Sequence, residues 1–108
     1  MGRQVSSFGT EGVTNRTLTA SANITAGERI FANSTSGAFT LTLPAAPTEG
    51  DTVQIIDVAG MFGLNNVTVA RNGEKIQNLE ENLVLNLDNT AITMIYSGAT
   101  FGWVFVGP

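Results

Sequence analysis

Three carboxylates, Glu49, Asp51 and Asp57, come closest to a catalytic arrangement in this sequence. A glycosidase needs two such groups facing each other across a cleft. Glu49 and Asp51 instead flank Gly50, where acidic residues are ordinary turn formers, and Asp57 closes an alternating apolar run. The chain has no His and no Cys, which removes His- and Cys-based nucleophile systems and the usual zinc ligand sets. Lys75, the only lysine, adjoins an Asn-Gly turn and is expected in solvent. Asp57, Asp88 and nearby Asn side chains offer oxygen ligands of the kind calcium takes, but without the spacing of an EF-hand loop. Phe62, Tyr96 and Trp103 are the aromatic groups that a sugar ring would stack on, yet a single Trp in a strand is expected in the core. No catalytic residue, cofactor or metal is therefore expected, and the chain reads as a non-enzyme.

The elements that would position these groups are strands. Phe39, Leu41 and Leu43 alternate with Thr40 and Thr42, the period-two pattern of a half-buried strand. Pro44 ends that run, and Pro47 and Gly50 turn the chain. Thr52–Asp57 resumes as a strand with Val53 and Ile55 on one face and Ile56 on the other, so both faces are expected to be covered. Further short strands are expected over 17–24, 29–33, 67–71, 74–76, 83–87, 91–97 and 101–106. Asn72-Gly73 is a strong hairpin signal, pairing 67–71 with a return strand at 74–76. The loop 59–66 carries Met61, Phe62 and Leu64, and is expected to fold over an open end of the core or onto a partner. No stretch has a convincing helical period and no internal repeat aligns. The expected fold is all-β: a single antiparallel β-sandwich or barrel-like domain of eight or nine short strands.

The length of 108 residues suits one domain. Charged residues make up only 13% of the chain, with Thr and Asn filling polar positions, a surface suited to protein contacts. The net charge of −4 argues against phosphate-driven nucleic-acid binding. No stretch has the length of a transmembrane helix and no secretory signal is evident, so neither nucleic acid nor membrane is expected as a partner. The amino terminus matches a myristoylation pattern and four Asn residues begin glycosylation sequons; both are expected by chance here.

Residues 1–23 differ from 24–108. Val5, Phe8, Val13 and Leu18 are scattered among glycines, too sparse to bury a core alone. An extended N-terminal arm (1–23) is expected to dock through Val5, Phe8 and Val13 on a neighbouring chain. The alternative is a strand added to its own sheet. The β-domain (24–108) is expected to associate through Ile56, Met61, Phe62 and Ile95, since a second apolar face is hidden by closed symmetric assembly.

Ile24-Thr25-Ala26-Gly27, Thr40-Leu41-Thr42-Leu43-Pro44-Ala45-Ala46-Pro47, Gly50-Asp51-Thr52-Val53, Asp57, Asn66-Val67-Thr68-Val69, Asn72-Gly73 and Gly102-Trp103 together resemble small β modules of tailed-bacteriophage virion proteins. The resemblance runs from about Ile24 to Val106. It implies a structural role on the outer surface of a phage particle, often as a homotrimer, and it carries over no catalytic residue. A chain running from Met1 to a last strand at Val106 reads as complete, which favours a capsid decoration (cement) protein bound to the major capsid protein or other virion subunits. The alternative is a tail fibre or tailspike module that recognises a host glycan.

Overall fold

The computed structural model describes residues 12–106, so Val5 and Phe8 lie outside the described residues. The fold is all-β. Its strands are β1 (Thr14–Leu18), β2 (Ala22–Asn23), β3 (Glu28–Ala32), β4 (Phe39–Thr42), β5 (Thr52–Asp57), β6 (Val67–Ala70), β7 (Leu83–Leu85), β8 (Ala91–Tyr96) and β9 (Trp103–Phe105). They form a five-stranded sheet, β1-β3-β5-β8-β9, and a four-stranded sheet, β2-β4-β6-β7.

The pairing corrects the expectation of a wholly antiparallel domain. From β1 to β6 the chain alternates between the sheets, and each strand lies parallel to the one two positions before it. The path is a coil of three turns, each adding one strand to each sheet. Only β7, β8 and β9 return antiparallel, closing the far end of the coil. Alternation of side chains encodes which face is buried but not the direction of the neighbour. Thr14 pairs with Glu28, Arg29 with Gln54, Ala22 with Leu41 and Phe39 with Val67, so the turns of the coil differ in length. Unequal turns leave no repeat in the sequence.

One buried apolar cluster joins the sheets. Ile30, Ala32, Val53, Ile55, Met94, Tyr96 and Trp103 come from the five-stranded sheet, and Phe39, Leu41, Val67, Val69 and Leu85 from the other. Ile24, Leu43, Phe62 and Ile76 fill in from the connections.

The arm boundary at residue 23 also needs correction. β1 pairs along its whole length with β3, and β2 with β4, so 14–23 belong to the chain's own sheets. The alternation seen over 17–24 spans two strands, one in each sheet. Arg16 ties them together: its Nη1 donates to both Glu28 carboxylate oxygens, at 3.1 and 3.2 Å, and to the Asn23 carbonyl at 3.1 Å. Glu28 in turn accepts the Thr25 amide at 2.9 Å. Parallel main-chain pairing supplies what the sparse apolar residues lack.

Asn72 and Gly73 both have positive φ, 51° and 89°, and the Glu74 amide donates to the Arg71 carbonyl, as in a type I′ turn. The hairpin expected beyond it does not form. β6 pairs with β7, whose Leu85 enters the core, whereas a return strand would begin with Glu74 and Lys75. The segment 75–78 crosses to β9 instead. Trp103 N–H donates to the Lys75 carbonyl, and Gln77 N–H to the Trp103 carbonyl. Gly102 makes this crossing possible: its φ is +77°, and a Cβ there would overlap the Lys75 carbonyl. Gly102→Ala should therefore destabilise the fold by about 1–3 kcal/mol, through forced backbone displacement added to an unfavourable φ. Urea unfolding checks this; a midpoint equal to the parent's would mean that the two backbones are not in contact.

Candidate functional site on the five-stranded sheet

Alternation sends Val53, Ile55 and Asp57 of β5 inward and leaves Thr52, Gln54 and Ile56 on the outer face. Register then sets outward residues of neighbouring strands side by side. Asn15, Arg29, Gln54 and Thr93 form one row, and Thr17, Phe31, Ile56 and Ala91 a second. Thr52, Ile95 and Val104 form a third.

The first row is a hydrogen-bonded ladder. Arg29 Nη1 donates to Asn15 Oδ1 at 3.3 Å and Arg29 Nε to Gln54 Oε1 at 2.6 Å. Gln54 Nε2 donates to Thr93 Oγ1 at 3.0 Å. Each side chain is thereby held in one orientation. Apolar rows lie on both sides: half-buried Phe31 and Ile56 toward the strand ends, half-buried Ile95 and Val104 toward the strand starts. At the strand starts the surface sinks into a groove of about 740 Å³. Gly12 and Val13 line it on the β1 side and Val106 on the β9 side, with Arg29, Gln54, Thr93 and Ile95 also in its lining.

Of the residues expected at a partner contact, Ile56 and Ile95 do share this outer face, two rows apart. Val13 lines the groove. Met61 and Phe62 lie elsewhere, in the loop after β5. Phe62 is wholly buried, which corrects its assignment to a subunit interface: the loop folds over the open end of the core, and Phe62 plugs it. Asp57 organises that plug. Its carboxylate accepts the amides of Met61 at 3.1 Å, Phe62 at 3.1 Å and Asn89 at 2.9 Å. Burial pushes its pKa up, but hydrogen bonds from Phe62, Asn89, Met61 and Gly60 outweigh that and hold it below the ordinary value of 3.8. Leu64 and Leu87 stand exposed near the bond from Gly63 N–H to Asp88 Oδ1.

Asp51 and Asp57 sit at opposite ends of β5, and Asp51 accepts the Thr48 amide within its own turn. The three carboxylates therefore do not converge. Asp88, like Asp57, holds a backbone amide. Phe62, Tyr96 and Trp103 are buried, so none presents a ring to a ligand. The ladder itself was missed in the sequence. Arg29-x-Phe31 and Gln54-x-Ile56 are visible as alternating pairs, but only the parallel register places Arg29 beside Gln54. No family model matches the chain, and no curated protein matches it in sequence.

Proposed function

We propose that the chain is a non-enzymatic structural protein of a bacteriophage virion, acting as a trimeric capsid decoration protein that binds and stabilises the shell from outside. The observation that carries this reading is the outer face of the five-stranded sheet. Its polar ladder joins Asn15, Arg29, Gln54 and Thr93 side chain to side chain, and its Phe31–Ile56 row is half-buried, as expected of a surface completed by another protein chain. Exposed Leu64 and Leu87 offer a second apolar contact at the strand ends. The low charge content and the family resemblance point the same way.

The purified protein should have a native mass near three times the 11.3 kDa chain. Ile56→Arg should reduce it to monomer without unfolding it, because a charge is then placed where the partner would seal it from water. A parent that stays monomeric at high concentration would sink the trimer. Copy number per particle tests the location: hundreds for a shell-bound protein, a few dozen or fewer for a fibre. The groove favours a second reading, a tail fibre module. Arg29, Gln54 and Thr93 present fixed polar groups of the kind that grip sugar hydroxyls. Retention on a host-surface glycan column, lost in Gln54→Ala, would favour it.

A further inference from the structure

We propose that the groove at the strand starts is a binding site for a carboxylate-bearing sugar, a hexuronic acid, with Arg29 holding the carboxylate. This inference rests on the glycan reading of the groove and deepens it by naming the class of sugar.

Arg29 carries the argument. Its side chain is half-buried on the outer face and lines the groove. Its hydrogen bonds among the described residues go to the neutral amide oxygens of Asn15 and Gln54. The ion pair among the described residues is Arg16 with Glu28, and no carboxylate there pairs with Arg29. A half-buried cation with only neutral partners gains from an arriving anion. Gln54 and Asn15 hold the guanidinium plane in place, so little side-chain freedom is left to lose on binding. The second terminal nitrogen, Nη2, has no partner among the described residues and can meet a ligand oxygen.

The rest of the lining decides what bears the carboxylate. Thr93 Oγ1 accepts from Gln54, so its own proton is left to donate, and Gln54 Nε2 keeps a second proton. Asp51 accepts the Thr48 amide through Oδ2, which leaves Oδ1 as an acceptor. Donors and an acceptor in one groove suit a ring of hydroxyls, each of which both donates and accepts. Val13 and Ile95 offer aliphatic surface to the C–H face of such a ring. The volume of about 740 Å³ falls in the usual range for small-molecule sites, about 300–1,000 Å³. An extended peptide fits less well. The groove crosses β3, β5 and β8, each paired on both sides, so their main-chain groups are already taken up. A phosphate dianion also fits less well, because Asp51 shares the groove and repels a second negative charge.

The test is a set of NMR titrations of the full chain at constant ionic strength, following the Arg29 Nε–H and Gln54 side-chain amide signals. The probes are galacturonate, its methyl ester, galactose, acetate and N-acetylvaline. Galacturonate should shift both signals and bind about ten-fold more tightly than galactose or the ester, the size of one charge-assisted bond. Arg29→Gln should erase that difference, and Arg29→Lys should restore part of it. If Arg29→Gln does not fold, the comparison of acid with ester on the parent still decides. Galactose binding as tightly as galacturonate would overturn the acid preference and leave the glycan reading standing. Acetate or N-acetylvaline matching galacturonate would overturn the sugar, and N-acetylvaline binding more tightly would assign the groove to a protein C-terminus. Silence with both sugars would overturn the proposal outright, and retention on the host-glycan column then judges the glycan reading separately.

Discussion

Trp103→Ala is expected to cost about 3–5 kcal/mol, the range for removing a large aromatic side chain from a packed core. Trp103 is fully buried, and its ring packs against Tyr96 with centroids 5.4 Å apart at a tilt of 57°. Tyr96 is anchored in turn by its hydroxyl, which donates to Glu74 at 2.6 Å. Trp103 also carries the backbone bonds that hold 75–77 against β9. Its truncation therefore opens a cavity where the last strand and the irregular 75–78 segment meet. Thermal unfolding should show a loss of more than about 10 °C, at roughly 4–8 °C per kcal/mol for a domain near this size. Trp103→Phe should be much milder. The indole Nε1 is buried without a hydrogen-bond partner among the described residues, and its removal relieves a desolvation cost of about 1–3 kcal/mol. A Trp103→Ala protein melting within two or three degrees of the parent would show that the ring is not part of the core. If that variant had lost only glycan retention, the fibre reading would gain.

Strand positions and inner faces were largely legible in the sequence, because burial and alternation are local. Val53 and Ile55 inward with Ile56 outward follows from six consecutive residues. The partner of each strand is not local. Nothing in Thr52–Asp57 says that β3 lies beside it in parallel rather than β4 in a hairpin. Thr40-Leu41-Thr42-Leu43-Pro44 followed by a turn suits either path. The same limit explains the missed ladder, since Arg29 and Gln54 meet only because β3 and β5 are neighbours in one particular register. Asn72-Gly73 shows the converse. Its turn chemistry was legible and its φ values follow, but the core prefers Leu83 and Leu85 beside β6 to Glu74 and Lys75. Phe62 reads as an interface residue when its loop is considered alone. Its burial depends on Asp57, five residues earlier, supplying the acceptors that curl the loop back over the core.

The second large effect is expected at Asp57. Asp57→Ala leaves the Met61, Phe62 and Asn89 amides without their acceptor beneath a closed loop, at an expected cost of about 3–5 kcal/mol. Asp57→Asn keeps the shape but turns one acceptor oxygen into a donor facing backbone N–H groups, so it should recover only part of that loss. The pH dependence separates this role from simple packing. The folded-state pKa lies below its unfolded value, so the carboxylate's contribution is fully present above the unfolded value, near 4. It is lost as pH falls through the folded pKa, when the protonated group can no longer accept all of its amide bonds. The stability gap between parent and Asp57→Asn should thus be constant from about pH 5 upward and narrow steadily below pH 4. Groups common to the two proteins cancel in the difference. Urea unfolding of the pair at pH 7 and pH 3 measures it. Hydrogen exchange at the Phe62 amide provides the local counterpart, protected in the parent at neutral pH and faster in the variant. A gap that stays the same width at pH 3 would mean that Asp57 supports the loop by shape alone and not by its charge.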